Sequence, residues 1–271
     1  MSGVDYASID AVNWSTLVHL ATSAKLLEYR RDHAREDTRA LRLGTLIHCA
    51  VLEPELWATR FIVEPDFGDG RRKEAKEAKA AWRASIDPDA VIVDADEHAL
   101  VSRCAEAALA HPAVRDLLRG GHAEEVLTWH DEATGIACKG RLDYVAPAYL
   151  VDLKSTRAET LEQLAREVAG RLYHGQVAFY LDGAVATRRL HPLSSQVFVV
   201  AIQTVEPFDV IPARIQVADL ERGRALYRSL LRRYAECRAA DWWPGLAPSV
   251  VDLPLPAWTP SGEPEQTGDD W

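Results

Sequence analysis

Two aspartates and a lysine sit close together in the middle of the chain. Asp143 lies in Gly140-Arg141-Leu142-Asp143-Tyr144, and Asp152 and Lys154 lie in Tyr149-Leu150-Val151-Asp152-Leu153-Lys154-Ser155-Thr156. Side chains alternate faces along a strand, so an extended second segment puts Asp152 and Lys154 on one face and Val151 and Leu153 on the other. The intervening Ala146-Pro147-Ala148 lets the chain fold back and brings Asp143 toward Asp152. Hard carboxylate oxygens beside an ammonium group suit a divalent cation and a phosphate. Phosphodiester hydrolysis needs an activated water, neutralisation of charge growing on the phosphate, and a stabilised leaving oxygen. One or two Mg²⁺ ions held by carboxylates supply all three. Asp143 and Asp152 could form that clamp, with the Leu153 carbonyl as a further oxygen ligand and Glu125 at the start of the preceding strand. Lys154 could orient the attacking water, lower its pKa or offset negative charge in the transition state. The plain alternative is a polar-faced hairpin with a surface Asp–Lys pair, and Asp-x-Lys alone does not decide between the two.

The elements that must position these residues follow from hydrophobic period. Helical spacing over residues 8–36 gives one or two helices. A more buried helix is expected over Arg39–Trp57, with Pro54 near its end. Phe61–Val63 and Val91–Val93 read as short extended pieces, and Lys73–Ser85 as an Ala/Lys/Glu-rich helix. A long helix over 95–118 should break near His111-Pro112. The period then changes: Glu125–His130, Ile136–Val145 and Tyr149–Ser155 read as consecutive strands, the first turn being Asp131–Gly135. Thr156-Arg157-Ala158-Glu159 has the capping-box pattern, so a helix is expected straight after the third strand. That helix should run to about Gly170 and be followed by another over Leu172–Arg189. Strands over Ser195–Val205 and Val210–Val217 and a closing amphipathic helix over Ala218–Ala240 complete an α/β arrangement around a mixed sheet. One domain is expected over residues 1–250, with a core at about 120–217 and an N-terminal helical part carrying His48. An acidic, Pro-rich tail over 251–271 is expected to be disordered.

Composition narrows the class. Of 271 residues, 48% are hydrophobic, enough for a sizeable core. Cys49, Cys104, Cys138 and Cys237 are far apart with no C-x-x-C pair, which favours reduced thiols over zinc or an iron–sulfur cluster. No apolar run approaches a membrane span and no basic-then-apolar leader opens the chain, so a cytoplasmic protein without a membrane partner is expected. The net charge of −10 argues against a generic polyanion binder. It is unevenly placed, since Asp252, Glu263, Glu265, Asp269 and Asp270 fall in a tail with no lysine or arginine. Local positive charge sits at Arg71, Arg72 and Lys73, and at Arg224, Arg228 and Arg232 along one helical face.

The string Asp143…Asp152-Leu153-Lys154, set in a strand–strand–helix context, resembles the PD-(D/E)XK nuclease superfamily, with Leu142 in the place of its usual proline. Gly44-Thr45-Leu46-Ile47-His48, followed by Leu52-Glu53-Pro54, resembles the Gly-x-x-x-His helix of RecB-type and exodeoxyribonuclease VIII (RecE-type) nucleases. Tyr173-His174-x-Gln176-x-x-Phe179-Tyr180 resembles their Gln-x-x-x-Tyr helix. With Lys139-Gly140-Arg141-x-Asp143, the joint match is most like the exodeoxyribonuclease VIII group, over roughly residues 8–245. Four strings in order at compatible spacings carry the resemblance.

That resemblance implies a restriction-endonuclease-like core, a central mixed sheet flanked by helices. Lys154, Asp143, Asp152, His48 and Gln176 become the catalytic set, and His48, Glu125, Asp143, Asp152 and Leu153 the metal ligands. The metal is Mg²⁺, with Mn²⁺ able to substitute. Glu125 is preferred over adjacent Glu124 because the family pattern places the acid directly before the apolar strand. Tyr180 supports Gln176. Arg71, Arg72, Lys73, Arg141, Ser155, Thr156, Tyr180 and the amides of the following helix are candidate DNA contacts. The implied activity is 5′-to-3′ exonuclease digestion of double-stranded DNA ends, leaving 3′ tails, by a ring-forming homo-oligomer beside a single-strand annealing protein. A RecB- or Cas4-like nuclease subunit of a larger complex and a catalytically silent DNA-end-binding protein are the alternatives.

Overall fold

The change of hydrophobic period near residue 122 divides an N-terminal helical layer from a sheet. The structure, a computed structural model, describes residues 5–33, 38–88, 90–192, 195–247, 249–257 and 259. The helices of the first layer are α1 (Trp14–Leu17), α2 (Ala24–Asp32), α3 (Arg39–Leu52), α4 (Pro54–Arg60), α5 (Lys73–Ser85), α6 (Ala95–Ala110) and α7 (Pro112–Leu117). Their starts follow local chemistry. Asn13, Ser23, Thr38 and Asp94 each cap a helix by accepting a backbone N–H with the side chain. The helix expected over Arg39–Trp57 is two helices. Glu53 leaves helical geometry at φ −133°, ψ 60°, and Pro54 opens α4, where its missing N–H costs nothing. Between these helices β1 (Phe61–Val63) pairs in parallel with β2 (Val91–Val93).

The main sheet has the order β3 (His122–His130), β4 (Ala137–Ala146), β5 (Tyr149–Thr156), β6 (Gln196–Gln203), β7 (Val210–Arg214). β3, β4 and β5 form an antiparallel meander, β6 lies parallel to β5, and β7 returns antiparallel to β6. The β5–β6 crossover carries α8 (Leu161–Gly170) and α9 (Tyr173–Ala186), and α10 (Val217–Ala240) closes the fold. α8 does not start where the capping box placed it. Thr156 ends β5, its hydroxyl donating to Glu167 Oε2 at 2.6 Å and accepting from Ala158 N at 3.0 Å in a local turn, and Thr160 caps the helix, accepting from Gln163 N.

Each sheet face has its own helical cover. Leu46, Ile47, Ala50 and Val51 of α3, with Val101 and Ala108 of α6, pack on Val151, Leu153, Val200 and Ile202. On the other face Val177, Leu181 and Ala184 of α9 meet Leu127, Leu142, Leu150 and Val199. Leu17, Leu20 and Leu27 of the N-terminal segment are fully buried and pack with Phe179 and Leu231, tying the first layer to α9 and α10. Each such side chain contributes about 1.5–3 kcal/mol of burial. Gly223 lets α10 approach α9 closely, since a Cβ there would lie 2.2 Å from the His174 carbonyl oxygen. Among the described residues no helix is long and apolar enough to cross a membrane. Of the expected tail, residues 251–257 form no helix or strand and are exposed, while 258 and 260–271 lie outside the described residues.

Candidate active site and metal centre

β4 and β5 separate as they leave their shared turn. Their pairing runs from Ala146↔Tyr149 to Tyr144↔Val151 and then stops. Asp143 occupies the start of the gap, where its Oδ2 accepts the Leu153 N–H at 2.7 Å. The N–H and C=O of one strand residue point to the same edge, so the Leu153 carbonyl also faces this gap. Farther along, Val12 fills it by donating to Ala137 O and accepting from Lys139 N, both at 2.8 Å. α3 lies across the opening. Gly44 brings it close, its would-be Cβ lying 3.4 Å from Ser155 Oγ, and one turn on His48 places Nδ1 3.6 Å from Asp143 Oδ2. Asp152 and Lys154 share a strand face, with Lys154 Nζ 2.6 Å from Asp152 Oδ2 and 4.6 Å from the centre of the Tyr173 ring. On α9, Gln176 Nε2 donates to Tyr180 Oη at 3.3 Å, and the Tyr180 ring would lie 3.0 Å from a Cβ on Gly140.

The expected acid on β3 is displaced by one residue. Pairing of Ala123 with Tyr144 and Glu125 with Leu142 sets Glu124 opposite Asp143. Glu124 has φ 50°, a left-handed conformation uncommon for a residue with a side chain, and the regular pairing lapses there. One ligand atom each from His48, Glu124 and Asp143 falls within 4.8 Å of the others. Glu125 does not join them. Its carboxylate accepts from Arg189 Nε and Nη2 at 2.5 and 2.7 Å. The acid that joins His48 and Asp143 is therefore Glu124 and not Glu125, which the family pattern had favoured, because the β3–β4 register sets Glu124 opposite Asp143 and Glu125 is spent on Arg189.

This arrangement can be set beside known proteins. The model of a family described as a PDDEXK-like domain of unknown function (DUF3799) matches residues 14–250. The chain belongs to this family. No curated protein sequence matches it. Among solved structures, a protein from Eubacterium rectale described as a "putative exonuclease" aligns with TM-score 0.60 and 11% identity over 94% of this chain and 97% of that one. A second, the protein SSO0001, aligns with TM-score 0.27 and 15% identity over 69% of this chain and 85% of that one. The PDDEXK-like core is the mixed β3–β7 sheet flanked by helices, as the sequence led us to expect.

The charges of the PDDEXK-like site depend on one another. Burial is the largest influence on His48 and favours the neutral ring, but the charge and hydrogen bonding of Asp143, with the charge of Asp152, together outweigh it and raise the imidazole pKa. Burial also pushes Asp143 upward, yet His48, Lys154 and the Leu153 amide together hold it below the ordinary carboxylate value. Asp152 is raised, first by burial and then by Asp143, with Lys154 opposing. Burial acts to neutralise Lys154, but Asp152 and Asp143 overcome it and keep the ammonium charged. Glu124 is pushed up to about 7, by burial first and then by the charge of Asp143.

These residues fit a divalent cation. Oxygen and imidazole donors converge, and two of them, His48 and Glu124, bind their protons more tightly than usual, protons that a cation would compete with. Asp152 is buried near this cluster, its Oδ2 ion-paired with Lys154 Nζ at 2.6 Å, but it is not one of the three converging groups.

The remaining expected contacts divide. Arg141 lines a cavity of about 350 Å³ with His48, Glu53, Arg60, Glu124 and Asp143. Ser155 faces α3 at the mouth of the cleft. Thr156 is 4% exposed and bonded to Glu167, so it is not a surface contact for DNA, and the α8 amides begin well beyond Lys154. Arg71, Arg72 and Lys73 are exposed before and at the start of α5, where Lys73 pairs with Glu77 at 3.7 Å. Arg224 and Arg228 are paired with Asp182, at 2.8 and 3.1 Å. Sequence reasoning passed over Tyr6 and the buried Lys139, whose Nζ donates to the carbonyls of Tyr6 and Ile9 at 2.8 Å. Lys139 belongs to the quoted Lys-Gly-Arg-x-Asp string, and that was the available signal.

Proposed function

We propose that this protein is a divalent-metal-dependent DNA nuclease of the exodeoxyribonuclease VIII type. It digests linear double-stranded DNA from 5′ ends and leaves 3′ single-stranded tails for strand annealing. One observation carries the reading. His48, Glu124 and Asp143 converge beside the buried Asp152 and the ammonium of Lys154 that is ion-paired with it. A site that only bound DNA would have no need of this donor set.

Mg²⁺ or Mn²⁺, when bound, neutralises phosphate charge and promotes ionisation of the attacking water. The chain supplies the remaining work. Asp143 is fixed by the Leu153 amide, so its second oxygen is aimed without rotamer search. Lys154 stays an ammonium, a donor with no acceptor capacity. It therefore offsets charge on the attacking oxygen and the phosphate and does not remove a proton. Gln176, braced by Tyr180, donates toward the phosphate backbone. A homo-oligomeric ring and a single-strand annealing partner belong to this proposal, since a threaded duplex dissociates slowly and its 3′ product must be covered.

The test is incubation with end-labelled linear duplex, nicked circle and closed circle, in Mg²⁺, Mn²⁺ or EDTA. Metal-dependent loss of linear duplex from 5′ ends, with closed circles spared, is expected. Cutting of closed circles would remove the end-specific reading. Binding to ends without cleavage in either metal would replace it with a DNA-end-binding protein.

A further inference from the structure

Tyr6 stands beside the cations of the cleft, and nothing in the hydrolytic arrangement accounts for it. The Lys139 Nζ lies 4.7 Å and the Arg141 Cζ 4.8 Å from the centre of its ring. Lys139 and Arg141 are two residues apart on β4 and project from the same strand face, and both cations lie against the ring. Lys139 is 6% exposed, and burying an ammonium is tolerated here because the Tyr6 and Ile9 carbonyls accept from it. The segment bearing Tyr6 is therefore anchored. The ring itself is only half-buried. Arg141 extends the link inward, its Nε lying 3.9 Å from Glu124 Oε2, so Tyr6 stands one side chain away from the His48–Glu124–Asp143 cluster.

A flat, half-exposed ring with two cations against it and a carboxylate cluster nearby matches a nucleotide in its parts. The ring offers a surface to a base, and the guanidinium offers donors to its phosphate. Such a grip is indifferent to sequence, because every base has a π-face. We propose that Tyr6 is a base-stacking residue. The nucleobase flanking the scissile phosphate stacks on the exposed part of the ring, while Arg141 takes that nucleotide's phosphate. The proposal rests on the nuclease reading of the site and adds that the scissile strand is held unpaired at that nucleotide.

The experiment is a cycle between protein and substrate. Tyr6→Phe, Tyr6→Trp and Tyr6→Leu are assayed on linear duplex, intact or with an abasic nucleotide placed in turn on each side of the first scissile phosphate. KM and kcat are measured in Mg²⁺, and Kd for the same DNAs in Ca²⁺. Phe and Trp should match wild type, while Leu, which keeps bulk without a flat π surface, should raise KM and Kd about tenfold with little change in kcat. The abasic substrate should impose the same loss on wild type and no further loss on Tyr6→Leu. A Leu variant that binds like wild type, or abasic and Leu losses that multiply at both positions, would overturn the proposal. If wild type cleaves none of these DNAs, the nuclease reading fails, and the Kd cycle still decides on Tyr6.

Discussion

Replacing Glu124 by glutamine should make the metal-free protein more stable while removing its response to metal. The rise of the Glu124 pKa from an ordinary 4.5 to about 7 means that the folded state holds the carboxylate proton more tightly than the unfolded chain does. The sign follows. Near pH 4.5 and below the group is protonated in both states and carries no penalty. Ionisation in the folded state becomes a penalty as pH rises, and the full penalty is present above pH 7. At about 1.36 kcal/mol per pH unit the rise corresponds to about 3 kcal/mol. The side chain is 24% exposed, so solvent screening reduces this to about 2 kcal/mol. Glu124→Gln keeps the shape and removes the charge. Thermal melts in EDTA should then show little change near pH 5 and a gain of about 4–8 °C at pH 8, taking about 2–4 °C per kcal/mol for a domain of this size. Mg²⁺ or Mn²⁺ should raise the melting temperature of wild type but not of the variant, and DNA cleavage should be lost. Glu125→Gln is the control. It breaks the partly exposed pair with Arg189, a loss of about 0.5–1 kcal/mol, and should keep the metal response. A Glu124→Gln protein that is destabilised at pH 8, or that still responds to metal while Glu125→Gln does not, would refute the register argument.

Three further outcomes can be checked directly. Lys154→Ala should abolish cleavage, and because it leaves Asp152 buried without its ion pair it should also lower stability at pH 8 by about 3 kcal/mol; circular dichroism establishes that the variant is folded, and full activity would take Lys154 out of the mechanism. Mn²⁺ affinity, measured by calorimetry, should rise with pH until Glu124 is ionised near pH 7 and His48 has also lost its proton, then level off; an affinity independent of pH between 5 and 8 would be inconsistent with protonated ligands. Gly223→Ala puts a Cβ 2.2 Å from the His174 carbonyl, which is backbone and cannot step aside, so α9 and α10 must separate. Urea denaturation should show a loss of about 3 kcal/mol or more, and unchanged stability would mean the helices are not in close contact.

What could be read in the sequence depended on how local its cause was. Asp152 and Lys154 were legible because strand period alone puts them on one face. Gly44 and His48 were legible because one helical turn separates them, and a helix repeats that spacing regardless of context. Thr156 shows the first kind of failure. Its capping-box pattern is local, but its oxygen accepts from Ala158 N in a turn and its hydroxyl donates to Glu167, eleven residues on, and the helix begins only at Thr160. Glu124 shows a second kind. The family pattern favoured the acid directly before the apolar strand, but the register against β4, which no local string reveals, sets Glu124 opposite Asp143, and Glu124 takes a φ of 50° there. Tyr6 shows a third, since its partner Lys139 is 133 residues away and nothing near either residue marks the pairing.

These failures gather at one place for a reason. A cation site between two strands requires that the strands stop pairing there, so that carboxylates instead of backbone partners fill the space. Asp143 takes the Leu153 amide, Val12 takes the edge beyond it, and Glu124 leaves the ladder opposite. Where the backbone departs from its repeat, rules built on that repeat lose their hold, and in this chain the departure is what opens the site.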